Sequence, residues 1–464
     1  MVFSSLTFLF IFLPVTLLGY RLLPKKLRIG FLLLASLLFY AWGEPLYVFL
    51  MIGSILVNWG IGFKVTGDGP HRKAWLVLSV ALNLLLLLIF KYTGLLWDTV
   101  KGLFPAPLSE KAVAIRLPIG ISFFTFQIMS YVIDVYRGKA KAQKSPVLFG
   151  AYVSMFPQLI AGPIVRYVDI EAQLDDPDLS LSGFAQGVGL FVVGLGKKVL
   201  LANGVAVLWR ELAAMPGETG VLGAWVGLIA YTFQIYFDFS GYSDMAIGLG
   251  RMFGFHFLEN FTYPFICRTV AEFWSRWHIS LGTWFRDYLY IPLGGSRVSK
   301  PRLVFNMMVV WTLTGLWHGA AWTYFLWGFG FGVFLVIERM TGLGKWMSGH
   351  RLGHFYAMFV VVTITVMIRS DNLHVARIFY GSMFGLGGAK LWDPLTGAFL
   401  REYGPFLAAG VLFSLPVPEF LRDRLHISPN VIRAVGSAAL LGLTFIAVTY
   451  IAVGSYNPFI YFNF

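Results

Sequence analysis

The chain reads EFWSRWHISLGTWFRDYLYIPLGGSR at Glu272–Arg297 and, after an apolar run, TGLWHG at Thr314–Gly319. The first segment sets Arg276, His278, Arg286, Asp287 and Arg297 among Trp274, Trp277, Trp284 and Phe285; the second sets His318 between Trp317 and Gly319. Long apolar runs lie on either side. Within lipid an ionisable side chain costs about 2.5–3.5 kcal/mol at the bilayer centre, so such residues generally face a cavity and serve a function. The stretch is therefore read as a polar site carried by a membrane protein, with His318 and His278 as its leading groups.

Working outward, composition agrees. Of 464 residues 57% are hydrophobic and 13% charged, and the mean hydropathy is +0.71, against about 25% charged in a soluble domain. The apolar runs are helical in length and lack the ten-residue alternation of an outer-membrane barrel. The expected fold is all-α and polytopic, roughly 11–13 transmembrane or re-entrant helices by the apolar runs, in a single domain over residues 1–464. A net charge of +13 would suggest nucleic acid in a soluble protein. Here excess Lys and Arg mark cytoplasmic loops instead, and no nucleic-acid partner is expected. Cys267 is the single cysteine, which excludes an intramolecular disulfide and a cysteine metal site. The N-terminus has an apolar core without a basic n-region or a small-residue cleavage site, and reads as a retained first span.

Spans are expected near Phe3–Leu23, Ile29–Trp42, Leu46–Phe63, Trp75–Trp97, Leu117–Tyr136, Phe184–Trp209, Val221–Phe237, Leu303–Leu316, Tyr324–Ile337, Phe355–Ile368, Phe406–Leu415 and Ile432–Val453. Lys25, Lys26 and Arg28 follow the first, Lys64, Arg72 and Lys73 the third, and Arg137, Lys139, Lys141 and Lys144 the fifth. The intervening loops, Gly43–Pro45 and Asp98–Lys111, carry less charge. This alternation places the N-terminus outside. Val147–Val165 contains Pro157, Gly162 and Pro163, and a helix so interrupted is tolerated at membrane depth only where protein or water satisfies its backbone. A broken or re-entrant helix is expected there. Tyr231–Phe255 puts Asp238 and Asp244 within membrane depth, as a proton relay, as substrate contacts, or as partners of Arg286 and Arg297; pairing with arginine is the plainer option because unpaired buried charge is costly. Arg268–Arg302, the most basic part of the chain, reads as a shallow interfacial helix on the cytoplasmic side.

Imidazole titrates near neutrality in water, so His318 can serve as general base or acid, and Gly319 beside it lets backbone or substrate approach closely. His278 can position substrate or cap a neighbouring helix. Neither a G-x-S-x-G elbow, a phosphate loop nor an H-E-x-x-H zinc motif occurs, and no metal is expected. Without a serine or cysteine partner in view, direct transfer without an acyl-enzyme suits the residues. Arg276, Arg286, Arg297, Lys300 and Arg302 form a basic segment of the kind that receives phosphate groups.

FWSRWHISLGTWFRDYLYIPLGGSR, FPQLIAGPIVRY (Phe156–Tyr167), YTFQIYFDFSGYSDMAIGLGRMFGF, LTGLWHGAAWTYFLWG (Leu313–Gly328) and RSDNLHVA (Arg369–Ala376) together resemble the membrane-bound O-acyltransferase family, in the branch that holds the integral-membrane subunit of bacterial alginate O-acetylation. The resemblance implies a helical ring around a central tunnel. It matches His318 to the family's catalytic histidine, and His278 to its second polar position. Trp317, Gly319, Trp277, Arg276, Arg286, Asp287, Asp238 and Asp244 become candidate substrate contacts. It also implies acetyl-CoA as donor substrate with no resident cofactor, delivery to an extracytoplasmic polysaccharide through a partner acetyltransferase, and a multi-pass place in the bacterial plasma (inner) membrane among its lipids. Two positions depart from the pattern: Phe331 stands where the branch often has a second histidine, and Asn203 where K-K-x-x-x-A-D ends in aspartate. The rival readings are transfer of D-alanyl or another acyl group to a cell-wall polymer, and a transporter of an acylated carrier in which His318 does no chemistry.

Overall fold

The computed structural model describes residues 1–103, 115–213, 219–386, 388–417, 420 and 428–454. The loop expected at Asp98–Lys111 lies mostly outside the described residues. Among those described, regular structure is helical apart from one isolated bridge between Phe261 and Trp277. Among the described residues, seven helical stretches are long and apolar enough to cross a membrane: Lys25–Gly43, Tyr47–Lys64, Arg72–Val100, Leu181–Ala213, Val221–Met252, Leu352–Arg369 and Asn430–Ala452. The chain is a multi-pass, all-α membrane protein. Several expected spans are pieces of longer elements. Val221–Phe237 is the first half of a 32-residue helix, which at 1.5 Å per residue is roughly 48 Å long and outreaches the hydrocarbon core.

The chain divides into two compact units, Met1–Phe191 with Ser243–Glu259, and Val192–Tyr242 with Asn260–Phe464. The first holds α1 (Leu13–Leu22), α2 (Lys25–Gly43), α3 (Tyr47–Lys64), α4 (Arg72–Leu87), α5 (Ile121–Tyr136) and α6 (Pro146–Ser154). Helix α5 is buried on nearly every side, as an all-round apolar helix must be. Its hydroxyls turn inward on their own backbone: Thr125 Oγ1 donates to Ile121 O (2.6 Å) and Ser130 Oγ to Gln127 O (2.7 Å). Helices α3 and α4 are joined by side-chain hydrogen bonds, Ser79 Oγ and Asn83 Nδ2 both donating to Asn58 Oδ1 at 2.6 and 3.0 Å, the polar contact that holds helices together where lipid supplies no hydrophobic drive. The interrupted segment behaves as its prolines and glycine require. Helix α6 stops at Ser154, and one buried turn follows over Phe156–Leu159. Gln158 Nε2 donates to Tyr152 O (2.6 Å) and Tyr152 Oη to Val165 O (3.0 Å), so protein satisfies the freed carbonyls.

Helices α7 (Leu181–Gly196) and α8 (Val221–Met252) contribute to both units. The second unit continues with α9 (Val270–Arg276), α10 (Ile279–Phe285), α11 (Lys300–His318), α12 (Trp322–Thr341), α13 (Leu352–Arg369) and α14 (Pro429–Ala452). Arg268–Arg302 is thus two short helices and a π-turn (Arg286–Tyr290) instead of one shallow helix. The break between them is His278, whose backbone is left-handed (φ 47°, ψ 52°). Helices α11 and α12 cross at Gly315 and Gly328. A Cβ on either would run into the other's backbone, at the Tyr324 and Trp311 carbonyls respectively. Only hydrogen at both positions lets the helices meet so closely. That crossing fixes the C-terminal end of α11, where His318 sits.

Candidate functional site

His318 is the last residue of α11 and His278 immediately precedes α10, without a capping bond from its side chain; both side chains are buried, at 4% and 1% exposure. Their rings lie 6.2 Å apart between centroids. His318 is walled by Trp317 (5.1 Å) and Trp327 (5.0 Å), each edge-on. His278 packs edge-on to Phe239 (4.7 Å) and Trp317 (6.0 Å). Aromatic rings in these tilted contacts fill space while their edges stay compatible with imidazole.

A pocket opens beside His318, with about 550 Å³ of empty space counting the solvent at its mouth. Its walls come from α8 (Thr232, Ile235, Phe239), α9 (Phe273, Trp274), Trp277, α12 (Trp327, Phe331) and α13 (Val361, Thr365, Ile368). His318 is the one ionisable group in that lining, which has the profile of a small-ligand site: mostly apolar walls and few polar groups. His278 stands behind the wall and contributes no lining atoms.

The local sequence explains this placement. Thr269 caps α9 by accepting from the Glu272 N–H (2.9 Å). Buried Glu338, on α12, accepts from the Val270 and Ala271 N–H groups (2.6 and 3.0 Å), using a carboxylate where a helix N-terminus favours one. Helix α9 is thereby pinned and presents Phe273, Trp274 and Trp277 to the cavity. Trp277 stacks on Phe273 at 5.4 Å. The strap 260–262 runs beside it: Thr262 N–H donates to Arg276 O (3.0 Å) and Ile279 N–H to Asn260 O (3.1 Å). Asn260 Oδ1 further accepts from Ser280 N–H (3.1 Å) and Ser280 Oγ (2.9 Å), and lies 3.2 Å from His278 Nδ1. No motif pointed to Asn260; its partners are set by the left-handed turn at His278. Burial, and next the neighbouring His318, pushes the His278 pKa well below the ordinary imidazole value, so that ring is neutral. Burial likewise pushes the Cys267 thiol up to about 12, which removes it as a nucleophile at neutral pH.

The other expected site residues fall into separate places. Asp238 is buried in an ion pair with Lys198 (2.5 Å, both 3% exposed), so its partner is a lysine from the π-turn Lys197–Ala202 and not Arg286 or Arg297. Asn203, one of the two departures from the family pattern, approaches the same lysine (Oδ1 to Nζ 3.4 Å). Arg286 pairs with the adjacent Asp287 (2.8 Å) and is exposed. Arg276 pairs with Glu272 (3.1 Å) and donates to Thr262 O (3.1 Å). Asp244 is half-buried on the part of α8 that belongs to the first unit. A side chain on Gly319 would meet the Tyr324 ring, so the protein's own tyrosine occupies the space that the glycine leaves. Arg297, Lys300 and Arg302 are exposed. Lys300 begins the helix that His318 ends, an axial rise of roughly 27 Å.

Comparison with known proteins places this arrangement. The family model described as MBOAT, membrane-bound O-acyltransferase family, matches residues 78–368 and so takes in both histidines and the whole cavity lining. The chain is 40% identical over 496 residues to the probable alginate O-acetylase AlgI of Pseudomonas putida, with all of both chains covered. It is 30% identical to the peptidoglycan O-acetyltransferase of Helicobacter pylori, covering 100% of this chain and 98% of that one. To the teichoic acid D-alanyltransferase of Bacillus subtilis it is 28% identical, over 50% of this chain and 62% of that one. With its model match spanning more than half its length and full-length relatives at these identities, the chain belongs to the membrane-bound O-acyltransferase family and is an acyltransferase.

Proposed function

We propose that this acyltransferase moves acetyl groups from acetyl-CoA on the cytoplasmic side of the bacterial inner membrane, through a tunnel, toward an extracytoplasmic polysaccharide by way of a partner acetyltransferase. The observation that carries the chemistry is His318, the one ionisable group in an otherwise apolar, aromatic cavity, with neutral His278 behind it. His318 takes the proton of an acceptor hydroxyl as the oxygen attacks the thioester carbon. The tetrahedral intermediate collapses, the C–S bond breaks, and the departing thiolate recovers that proton as CoA-SH. An apolar wall strengthens every electrostatic term at the reacting centre. The acetyl identity rests on the two relatives that match over the full chain and are both O-acetyl-transferring by name. The D-alanyl relative matches only half, which makes D-alanyl transfer the second reading. Arg297, Lys300 and Arg302, at the far end of α11 from His318, suit the CoA phosphates, and transfer along that helix suits passage from one membrane face toward the other.

Purified protein supplied with labelled acetyl-CoA, an oligosaccharide acceptor and the partner acetyltransferase tests this. Release of CoA-SH matched by label on acceptor hydroxyls is expected. Turnover only with a D-alanyl thioester would replace acetyl by D-alanyl, and movement of an acylated carrier without thioester consumption would make the protein a transporter.

A further inference from the structure

Asn260 and His278 make a pair whose proton positions can be worked out from geometry. The Ser280 N–H is a first-turn amide of α10 and needs an acceptor. It meets Asn260 Oδ1 at 3.1 Å. A backbone N–H can only donate, so the side-chain atom facing it is the oxygen; turning the amide over would set an NH2 group against an N–H. His278 Nδ1 lies 3.2 Å from that same oxygen. An amide oxygen only accepts, so Nδ1 carries the hydrogen. The one alternative, Nδ1 accepting from Ser280 Oγ at 3.5 Å, leaves two lone pairs facing each other at the shorter distance. With Nδ1 protonated and the ring neutral, the lone pair sits on Nε2. That nitrogen is buried and has no hydrogen-bond partner among the described residues.

We infer that Asn260 is a positioning residue that locks His278 as its Nδ1–H tautomer, leaving the Nε2 lone pair on a ring packed 6.2 Å from His318 between centroids; this deepens the acyl-transfer reading and rests on it. The consequence is a division of labour between two imidazoles. His318 takes up the acceptor's proton and becomes cationic. His278, held neutral with its proton on Nδ1 and its ring 6.2 Å away between centroids, adds no second positive charge beside that cation. The left-handed backbone at His278 fits this account, since strained conformations persist where surrounding contacts over-determine them. Around His278 the facing groups are Phe239 from α8, Phe261 and Asn260 from the strap, Ser280, and Trp317 and His318 from α11, so His318 is the titratable neighbour.

The test reads the tautomer directly. In full-length protein labelled with ¹⁵N-histidine, the His278 signals, assigned by their loss in His278→Asn, should show a protonated Nδ1 and an unprotonated Nε2. Asn260→Leu should redistribute the tautomers and lower transfer roughly 2–10-fold, the range of a lost hydrogen bond between neutral groups. Asn260→Asp keeps both acceptor roles, so it should hold the Nδ1–H signal, retain transfer within a few-fold at high pH, and move the acid limb of the pH profile upward, because a carboxylate stabilises the His278 cation. A wild-type Nε2–H tautomer, full transfer by Asn260→Leu with altered tautomers, or an Asn260→Asp pH profile identical to wild type would each overturn the inference. The spectra need no acyl donor. A protein that ignores acetyl-CoA yet shows the Nδ1–H tautomer would therefore sink the proposed donor and leave the tautomer standing.

Discussion

The second unit buries polar groups in two contrasting ways. At the π-turn of Lys197–Ala202, Lys198 and Asp238 are both charged, both 3% exposed, and joined at 2.5 Å. At the ends of α10 and α11, His278 and His318 are comparably buried, but His278 is neutral and meets aromatic rings, the Asn260 amide and the Ser280 hydroxyl. The first place resolves the cost of burial by mutual neutralisation, which leaves nothing for a substrate to use. The second sets a neutral His278 behind the one imidazole that lines the cavity. On the proposed function, the difference separates a structural device from a chemical one.

The largest expected effect comes from breaking the ion pair. Asp238→Ala or Lys198→Ala leaves an uncompensated buried charge and should cost about 3–5 kcal/mol, read as a lower Tm and loss of monodisperse protein in detergent. Replacing both, Lys198→Met with Asp238→Leu, should recover most of that and retain acyl transfer. If the double variant folds yet is inactive, the pair belongs to the chemistry and the contrast fails. The helix crossing comes next. Gly315→Ala forces a methyl group against the Tyr324 carbonyl and Gly328, an overpacking cost of about 1–3 kcal/mol. It should lower transfer as well as Tm, because His318 sits three positions along; unchanged transfer would mean the crossing does not set the histidine. His278→Ala should be milder than loss of His318, since His278 does not line the cavity, and equal losses would make the two imidazoles one unit. The smallest effect on stability is at the exposed cations. Neutralising Arg297, Lys300 and Arg302 should change Tm little, and should raise the KM for acetyl-CoA more than it lowers kcat. Arg286, held by Asp287, should show neither effect.

Much of this was legible from residues alone. The apolar runs gave the membrane class, Pro157 and Gly162 gave the break after α6, and the two histidines stood out because ionisable residues are rare among such neighbours. The partner of Asp238 was not legible. Lys198 lies inside an apolar run, and only the π-turn, which adds a residue to one helical turn, brings it to face α8. The basic stretch Arg268–Arg302 read as one helix because nothing local marks His278 as left-handed; tertiary contacts from the strap 260–262 impose that turn. Asn260 escaped notice for the same reason. Its role exists only once Ser280 N–H and His278 Nδ1 converge on one oxygen.

The central claim is that His318 does chemistry, and purified His318→Gln tests it most directly. Glutamine keeps a polar side chain of similar reach but cannot take up a proton at neutral pH. With folding and CoA binding intact, acetyl-CoA turnover in the presence of acceptor should fall by about 10²–10⁴-fold, the usual worth of a general base. Transfer at the wild-type rate by well-folded His318→Gln protein would contradict the account.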